Sequence, residues 1–314
     1  MVQRVSLTPK PRPRFIEPME CKRVPKLPEG SDWVYEIKQD GYRAIALVEG
    51  NSAILYSMSG QDYSSQFRHI VFGLQTLRQG NLVLDGEVVA LDENGRASFQ
   101  ALQNRRTSRK PIVYYVFDVL HHNGHDTLGL PLAERRELLD DIGAHFTDPL
   151  RLNPQFRTEL PPLVEQVKTM GLEGIVAKRS TSIYIPGKES DAWQKHRFNL
   201  EAEFVIGGYV AHGANFSSII VGEYRGKDLY YVKRVAAGFT AHLRAEVFKE
   251  LKPLVTAKCP FVNVPEPNRS GHGLTAEKMT ECVWVKPERR CELEFVERTN
   301  SGRLRHAVFR RLVS

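Results

Sequence analysis

The chain has 314 residues, 41% hydrophobic and 26% charged, with a formal charge of +7 from 44 Lys and Arg against 37 Asp and Glu. This length and balance fit a folded protein with room for two cores and exclude an extended disordered chain. No apolar run reaches membrane-spanning length, the start MVQRVSLTPKPRPRF lacks the apolar stretch of a secretory signal, and Cys21, Cys259, Cys282 and Cys291 form no CxxC pair; free thiols in a reducing cytoplasm are expected, not disulfides or zinc.

Residues 1–14 hold Arg4, Lys10, Arg12 and Arg14 without an acid, and read as a mobile basic arm. From 33 to 120 the pattern is one of strands. WVYEIK, YRAIALV, SAILYS, LVLDGEVVALD and IVYYVFDVL are rich in β-branched and aromatic residues, and Asp-Gly, Glu-Gly-Asn and Glu-Asn-Gly turns separate them. Taken alone, EIKQDGYR (36–43) has ordinary hairpin composition with a lysine beside the turn. PLAERRELLDDIGAHF from Pro131 spaces Leu132, Leu138, Leu139 and Ile142 as a helix, and PPLVEQVKTMG reads as a second. GIVAKR and AWQKHRF return to strands. The sum is an α+β domain over 1–200, rich in antiparallel strands.

After 200, FVIGGYV, SSIIVGEYR and LYYVKRVAA follow one another across short Gly-containing turns. The helix TAHLRAEVFKEL ends at Lys252-Pro253, and VWVKP and CELEFVERT supply two more strands. Five strands and a helix over 201–314 suit a small OB-type barrel. This part carries the larger excess of positive charge, +5 against +2 before residue 200. Eight basic side chains, Lys286, Arg289, Arg290, Arg298, Arg303, Arg305, Arg310 and Arg311, crowd residues 286–311 against four glutamates. A solvated face is the ordinary reading of such a run; a surface for a polyanion is the functional one. His121, His122 and His125 in HHNGHD fall in a hairpin loop without the partners a metal site needs. SGHG at 270–273 lacks a P-loop lysine and reads as a connector.

Chemistry-bearing residues end several separate strands: Lys38, Glu87, Glu173, Lys178, Lys195 and Arg197. Each alone is an ordinary surface charge. Together they suggest one pocket, with Phe117 in YYVFDVL available to face a base. The ordered series KQDGYR, LDGEVVALD, VFDVL, EGIVAKR and WQKHR resembles the collinear motifs of the covalent nucleotidyltransferases, the ATP-dependent DNA ligases and their relatives. Within that group FIEPM, PEGSDWVYEIK, PLAERRELL, EFVIGGY and GRLRHAVFRRL are most similar in style to the ligase module of bacterial end-joining DNA ligases. The likeness runs from about residue 13 to the C-terminus, and the order of five motifs is what makes it specific.

The resemblance implies a nucleotidyltransferase (adenylation) domain followed by an OB-fold domain, with ATP and Mg2+, or Mn2+ in its place, as cofactors. By that resemblance Lys38 attacks the α-phosphate of ATP, releases pyrophosphate and carries AMP as a phosphoamide. A free lysine has a pKa of about 10.4, so nearby positive charge, from Arg43 or a metal, must favour the neutral amine. The likeness puts Glu36 beside the adenine amino group, Phe117 on the base, and Arg43 with Glu87 at the ribose and adjacent phosphate. Glu173, with Glu87, is the metal-linked carboxylate, Lys195 meets the α-phosphate, and Arg197 takes the second basic place. Arg298, Arg303, Arg305, Arg310 and Arg311 are implied DNA or pyrophosphate contacts. Three positions depart from the pattern: Met58 stands where Ser-Arg-x-Gly has its arginine, Arg197 where a lysine is usual, and Ala307 where proline is common. Expected partners are nicked or broken duplex DNA and separate end-bridging, polymerase or nuclease proteins, with a cytoplasmic monomer working at the nucleoid. RNA ligation, RNA capping and a catalytically silent nucleic-acid binder remain the alternatives.

Overall fold

The computed structural model describes residues 12–105, 107–266, 273–299 and 302–313. The expected basic arm, apart from residues 12–14, and residues 270–272 of SGHG lie outside them. The chain divides into two compact units, Met1–Phe198 and Asn199–Ser314.

Period-two alternation organises the first unit. In Trp33–Ile37, Trp33 and Tyr35 face a cluster with Leu160, Leu163, Val167, Ile175 and Ala177, while Val34 faces Ile45, Val83, Phe117 and Trp193. Both faces are covered. The strand lies in a five-stranded sheet of order Glu20–Arg23, Glu189–Arg197, Gly174–Arg179, Trp33–Ile37, Gln155–Phe156. The second sheet runs Ser52–Ser57, Tyr42–Glu49, Leu82–Ala90, Ile112–His122, His125–Asp126, with Leu150–Leu152 parallel to Ile112–His122. Ile45, Val83 and Phe117 from one sheet and Val34 and Trp193 from the other fill the layer between them. Helices Arg68–Thr76 and Leu132–Gly143 cover the outer face of the second sheet through Ile70, Leu74, Leu139 and Ile142. Each fully buried aliphatic side chain of this kind stabilises the fold by roughly 1.5–3 kcal/mol.

Two sequence expectations need correction. EIKQDGYR is not a hairpin: Trp33–Ile37 and Tyr42–Glu49 belong to different sheets, so residues 38–41 cross between them. Gly41 answers to a close approach, since a Cβ there would lie 2.1 Å from the Val88 carbonyl oxygen. Helices Arg68–Thr76 and Phe99–Gln103 were not expected. RHIVFGLQT carries β-formers, and only the burial of Ile70 and Leu74, four residues apart, decides for helix, leaving Phe72 exposed.

In the second unit the strands are ordered Asp228–Val235, Asn215–Arg225, Leu200–His212, Cys282–Phe295, and both Val255–Thr256 and Val308–Val313 pair with the last. Ala237, just beyond Asp228–Val235, bridges Val308, so the sheet curls back towards its first edge. That is the barrel expected of an OB fold. Helix Ala241–Leu251 begins at Thr240, whose hydroxyl accepts from the Leu243 N–H at 3.2 Å, and buries Val247 and Leu251. VWVKP and CELEFVERT, expected as two strands, form one, Cys282–Phe295. Pro287 is tolerated there because it falls where the register with Leu200–His212 shifts, between Trp284 and Arg289.

Candidate active site

The alternation that buries Val34 also turns Glu36 inward, and Lys38 follows two residues on. Val176 and Lys178 behave likewise on Gly174–Arg179, and Trp193 and Lys195 on Glu189–Arg197. From the second sheet, Val83, Asp85 and Glu87 share a face with Arg43, whose Cα partner is Glu87. These side chains meet at one end of the layer between the sheets and line a cavity of about 270 Å3. Glu36, Lys38, Arg43, Glu87, Phe117 and Lys195, all singled out in the sequence, line it together with Cys21, Met58, Asn153, Lys178 and Trp193.

Lys38 donates to Glu173 Oε2 at 2.5 Å, and the Arg197 guanidinium pairs with Oε1 of the same carboxylate. Glu173 thus stands between two cations. Arg43 forks onto Asp85, Nε to Oδ1 and Nη2 to Oδ2, both at 2.6 Å, and its guanidinium lies 4.7 Å from the Phe117 ring centroid. Glu87 is enclosed. Desolvation pushes its carboxyl up to about 7, Lys38 and Arg43 pull it back, and Glu173 and Asp85 push it further. A carboxyl that titrates near neutrality in a cleft beside a lysine is the mark of a functional site.

Glu36 lines the cavity with its carboxylate already committed to protein partners. It is 2% exposed, accepts from Lys178 Nζ at 2.8 Å and Asn153 Nδ2 at 3.2 Å through Oε2, and from Gln155 Nε2 at 3.4 Å through Oε1. Lys178 is equally buried, with its ammonium 4.4 Å from the Phe117 centroid and 4.2 Å from that of Trp193. Phe117 therefore packs in the core, against Trp193 at 6.5 Å, and also lines the cavity.

Sequence reading gave no role to Asp85, Asn153, Tyr184 or Trp193 and none beyond a strand end to Lys178. Asp85 was in plain view in LDGE: its separation of two from Glu87 puts both carboxylates on one face. Tyr184, in the loop between two strands, offered no such signal.

Among the described residues no group of three or more His, Cys, Asp or Glu is arranged to hold a metal. Glu87 and Glu173 are hard oxygen donors that could share one with substrate phosphates. His121 has a structural use: Nδ1 donates to Asp126 Oδ1 at 2.9 Å and Nε2 accepts from the Gly124 N–H at 3.1 Å, closing the turn. In the second unit Arg298 pairs with Glu223, Arg303 with Glu266, Arg310 with Glu294 and Arg311 with Glu292, while Arg305 lies on the short strand Leu304–Arg305.

Comparison with known proteins follows the same two units. Residues 18–197 match the family described as the ATP dependent DNA ligase domain, and 212–313 match the ATP dependent DNA ligase C terminal region. The chain is 33% identical over 308 residues to the multifunctional non-homologous end joining protein LigD of Pseudomonas aeruginosa, an alignment covering 95% of this chain and 35% of that protein. It is 32% identical over 320 residues to DNA ligase C1 of Mycolicibacterium smegmatis, covering 93% and 88%. The ligase domain from M. tuberculosis LigD is similar in structure, with a TM-score of 0.57 at 29% identity over 95% of both chains. A mycobacterial DNA ligase D complexed with ATP and MES gives 0.56 at 28%, again over 95% of both. The chain spans 35–36% of the length of the LigD relatives.

Proposed function

Because the chain belongs to the ATP-dependent DNA ligase family, we propose that it seals breaks bearing a 3′-hydroxyl and a 5′-phosphate in duplex DNA through AMP carried on Lys38. The observation that carries this reading is the position of Lys38. It projects from the crossover between two sheets into a cavity lined by Arg43, Glu87 and Lys195, with Glu173 at 2.5 Å.

Lys38 must be neutral to attack. Its ammonium would compete with a metal held at Glu173 for that carboxylate, and this, with Arg43, favours loss of the proton to solvent. Nζ then bonds to the α-phosphorus of ATP and pyrophosphate leaves. Arg43 and Lys195 balance charge on the ribose and α-phosphate side, and Arg197 holds Glu173 in place. The base enters beside Phe117, with Glu36 fixed by Lys178 at the cavity wall. Glu87 and Glu173 would hold Mg2+, or Mn2+, which supplies neutralisation of phosphate charge when bound. AMP then passes to the 5′-phosphate of the break, and the 3′-hydroxyl displaces AMP as the new phosphodiester forms.

The second unit, with Arg298, Arg303, Arg305, Arg310 and Arg311, supplies contacts to the DNA backbone, with Arg298, Arg303, Arg310 and Arg311 exchanging their glutamate partners for phosphate. The likeness to end-joining proteins favours double-strand-break repair in the bacterial cytoplasm.

Intact-mass measurement after incubation with ATP and magnesium tests the core of the reading. Wild type gains the mass of one AMP, Lys38→Ala gains none, and the charged protein seals nicked duplex DNA. Labelling from GTP instead would support capping, preference for an RNA nick would support RNA ligation, and an uncharged wild type would support a silent binder.

A further inference from the structure

Arg43 meets the cavity with only part of its guanidinium. Nε and Nη2 are committed to Asp85, and Nη2 also donates to the Met19 carbonyl at 3.1 Å. Among the described residues Nη1 has no such partner. Asp85 Oδ2 accepts a second bond, from the Tyr184 hydroxyl at 2.7 Å, and the Tyr184 oxygen accepts in turn from the Met19 N–H at 2.9 Å. The result is a closed ring of hydrogen bonds, Arg43 to Asp85 to Tyr184 to Met19 and back. It draws on four separate segments: Tyr42–Glu49, Leu82–Ala90, the loop after Gly174–Arg179, and the chain just before Glu20–Arg23.

The ring is dry. Asp85 and Met19 are fully buried and Tyr184 is 2% exposed. Bonds to a charged group are stronger in such a place, and a lost one leaves a partner unsatisfied. Burial, with Asp85 beside it, holds the Tyr184 phenol well above its ordinary range, so the hydroxyl keeps the proton it donates.

We infer that Tyr184, acting through Asp85, is a positioning residue for nucleotide binding: the ring turns Arg43 so that Nη1 meets the ribose and α-phosphate oxygens while its face stays on Phe117. The inference rests on the reading of Arg43 as a nucleotide contact. It assigns to a loop tyrosine that never touches ATP a share of ATP affinity.

Tyr184→Phe removes one oxygen and keeps the ring that packs on Trp193 at 5.7 Å. In a Lys38→Ala background, which separates binding from chemistry, calorimetry with ATP gives the dissociation constant. Tyr184→Phe is expected to weaken ATP about tenfold, the scale of one net hydrogen bond. Arg43→Ala should weaken it further, and the two together no more than Arg43→Ala alone, because residues acting through one another are not additive. A purely structural tyrosine would give the same fold-loss with and without Arg43. That result, or a folded Tyr184→Phe with unchanged affinity, overturns the assignment. Should Tyr184→Phe fail to fold in a thermal melt, Asp85→Asn runs through the same cycle with the same criteria. The AMP adduct of the wild type is measured alongside. An adduct with additive losses rejects the role of Tyr184 and keeps the reaction, and the absence of an adduct rejects both.

Discussion

Replacing Lys178 with methionine isolates the energetics of the cavity wall. The substitution keeps an unbranched side chain between Phe117 and Trp193 but removes the ammonium 2.8 Å from Glu36 Oε2. Glu36, 2% exposed, is left with Asn153 at 3.2 Å and Gln155 at 3.4 Å, two long bonds from neutral donors that cannot replace a cation. Breaking one side of a buried pair costs about 3–5 kcal/mol, because the remaining charge is neither solvated nor compensated. For a unit of this size that is a fall of about 6–20 °C in melting temperature. Pairing Lys178→Met with Glu36→Gln removes both charges and should recover at least half of the loss. Thermal and urea unfolding, followed by tryptophan fluorescence at pH 7, measure all four corners of the cycle. A single substitution costing under about 1 kcal/mol, or a double variant no more stable than Lys178→Met, would refute the account of the pair.

Glu87 sets a pH dependence. Its carboxyl titrates at about 7 in the folded chain against an ordinary 4.5, so the native state binds the extra proton between those values. Its contribution to stability is full below 4.5 and is lost as pH rises through 7. Without metal or nucleotide, Glu87→Gln should match wild type at pH 4.5 and exceed it by about 1–3 kcal/mol at pH 8.5, measured by urea unfolding; a difference that does not grow with pH contradicts the burial of this carboxyl. Gly41→Ala, whose new Cβ would meet the Val88 carbonyl oxygen at 2.1 Å, should cost about 1–3 kcal/mol and slow AMP transfer to Lys38 by displacing the crossover; unaltered melting and adduct formation would show that the crossover gives way easily. Binding to nicked duplex should weaken about 1000-fold between 50 and 200 mM salt if some six phosphates are neutralised, and a flat salt titration would count against the arginine surface of the second unit.

Local chemistry made much of this protein legible in its sequence. Strands in 33–120 and 174–198 announce themselves through β-branched and aromatic runs, and the helices at 132–143, 160–169 and 241–251 through apolar spacing and Pro or Thr at their starts. Arg68–Thr76 was not legible because its helix exists only through contact with a sheet formed by distant residues. Charged residues at strand ends were visible, yet alternation states only that Glu36 and Lys38 share a face, not what that face meets.

Sequence alone therefore determined which residue types sit at period-two positions on which strands, and the ordered motifs around Lys38 that mark the family. Tertiary structure alone decided that the marked faces look at each other across two sheets rather than at water. Strand pairing within the first sheet sets Glu36 beside Lys178 and Glu173 between Lys38 and Arg197, and the meeting of the two sheets encloses them and closes the ring that holds Arg43. The physical reason is range. Propensity and periodicity act over a few residues, whereas a buried charge is satisfied by whatever group the fold brings within about 3 Å, here for Glu36 and Lys178 from 142 positions away along the chain.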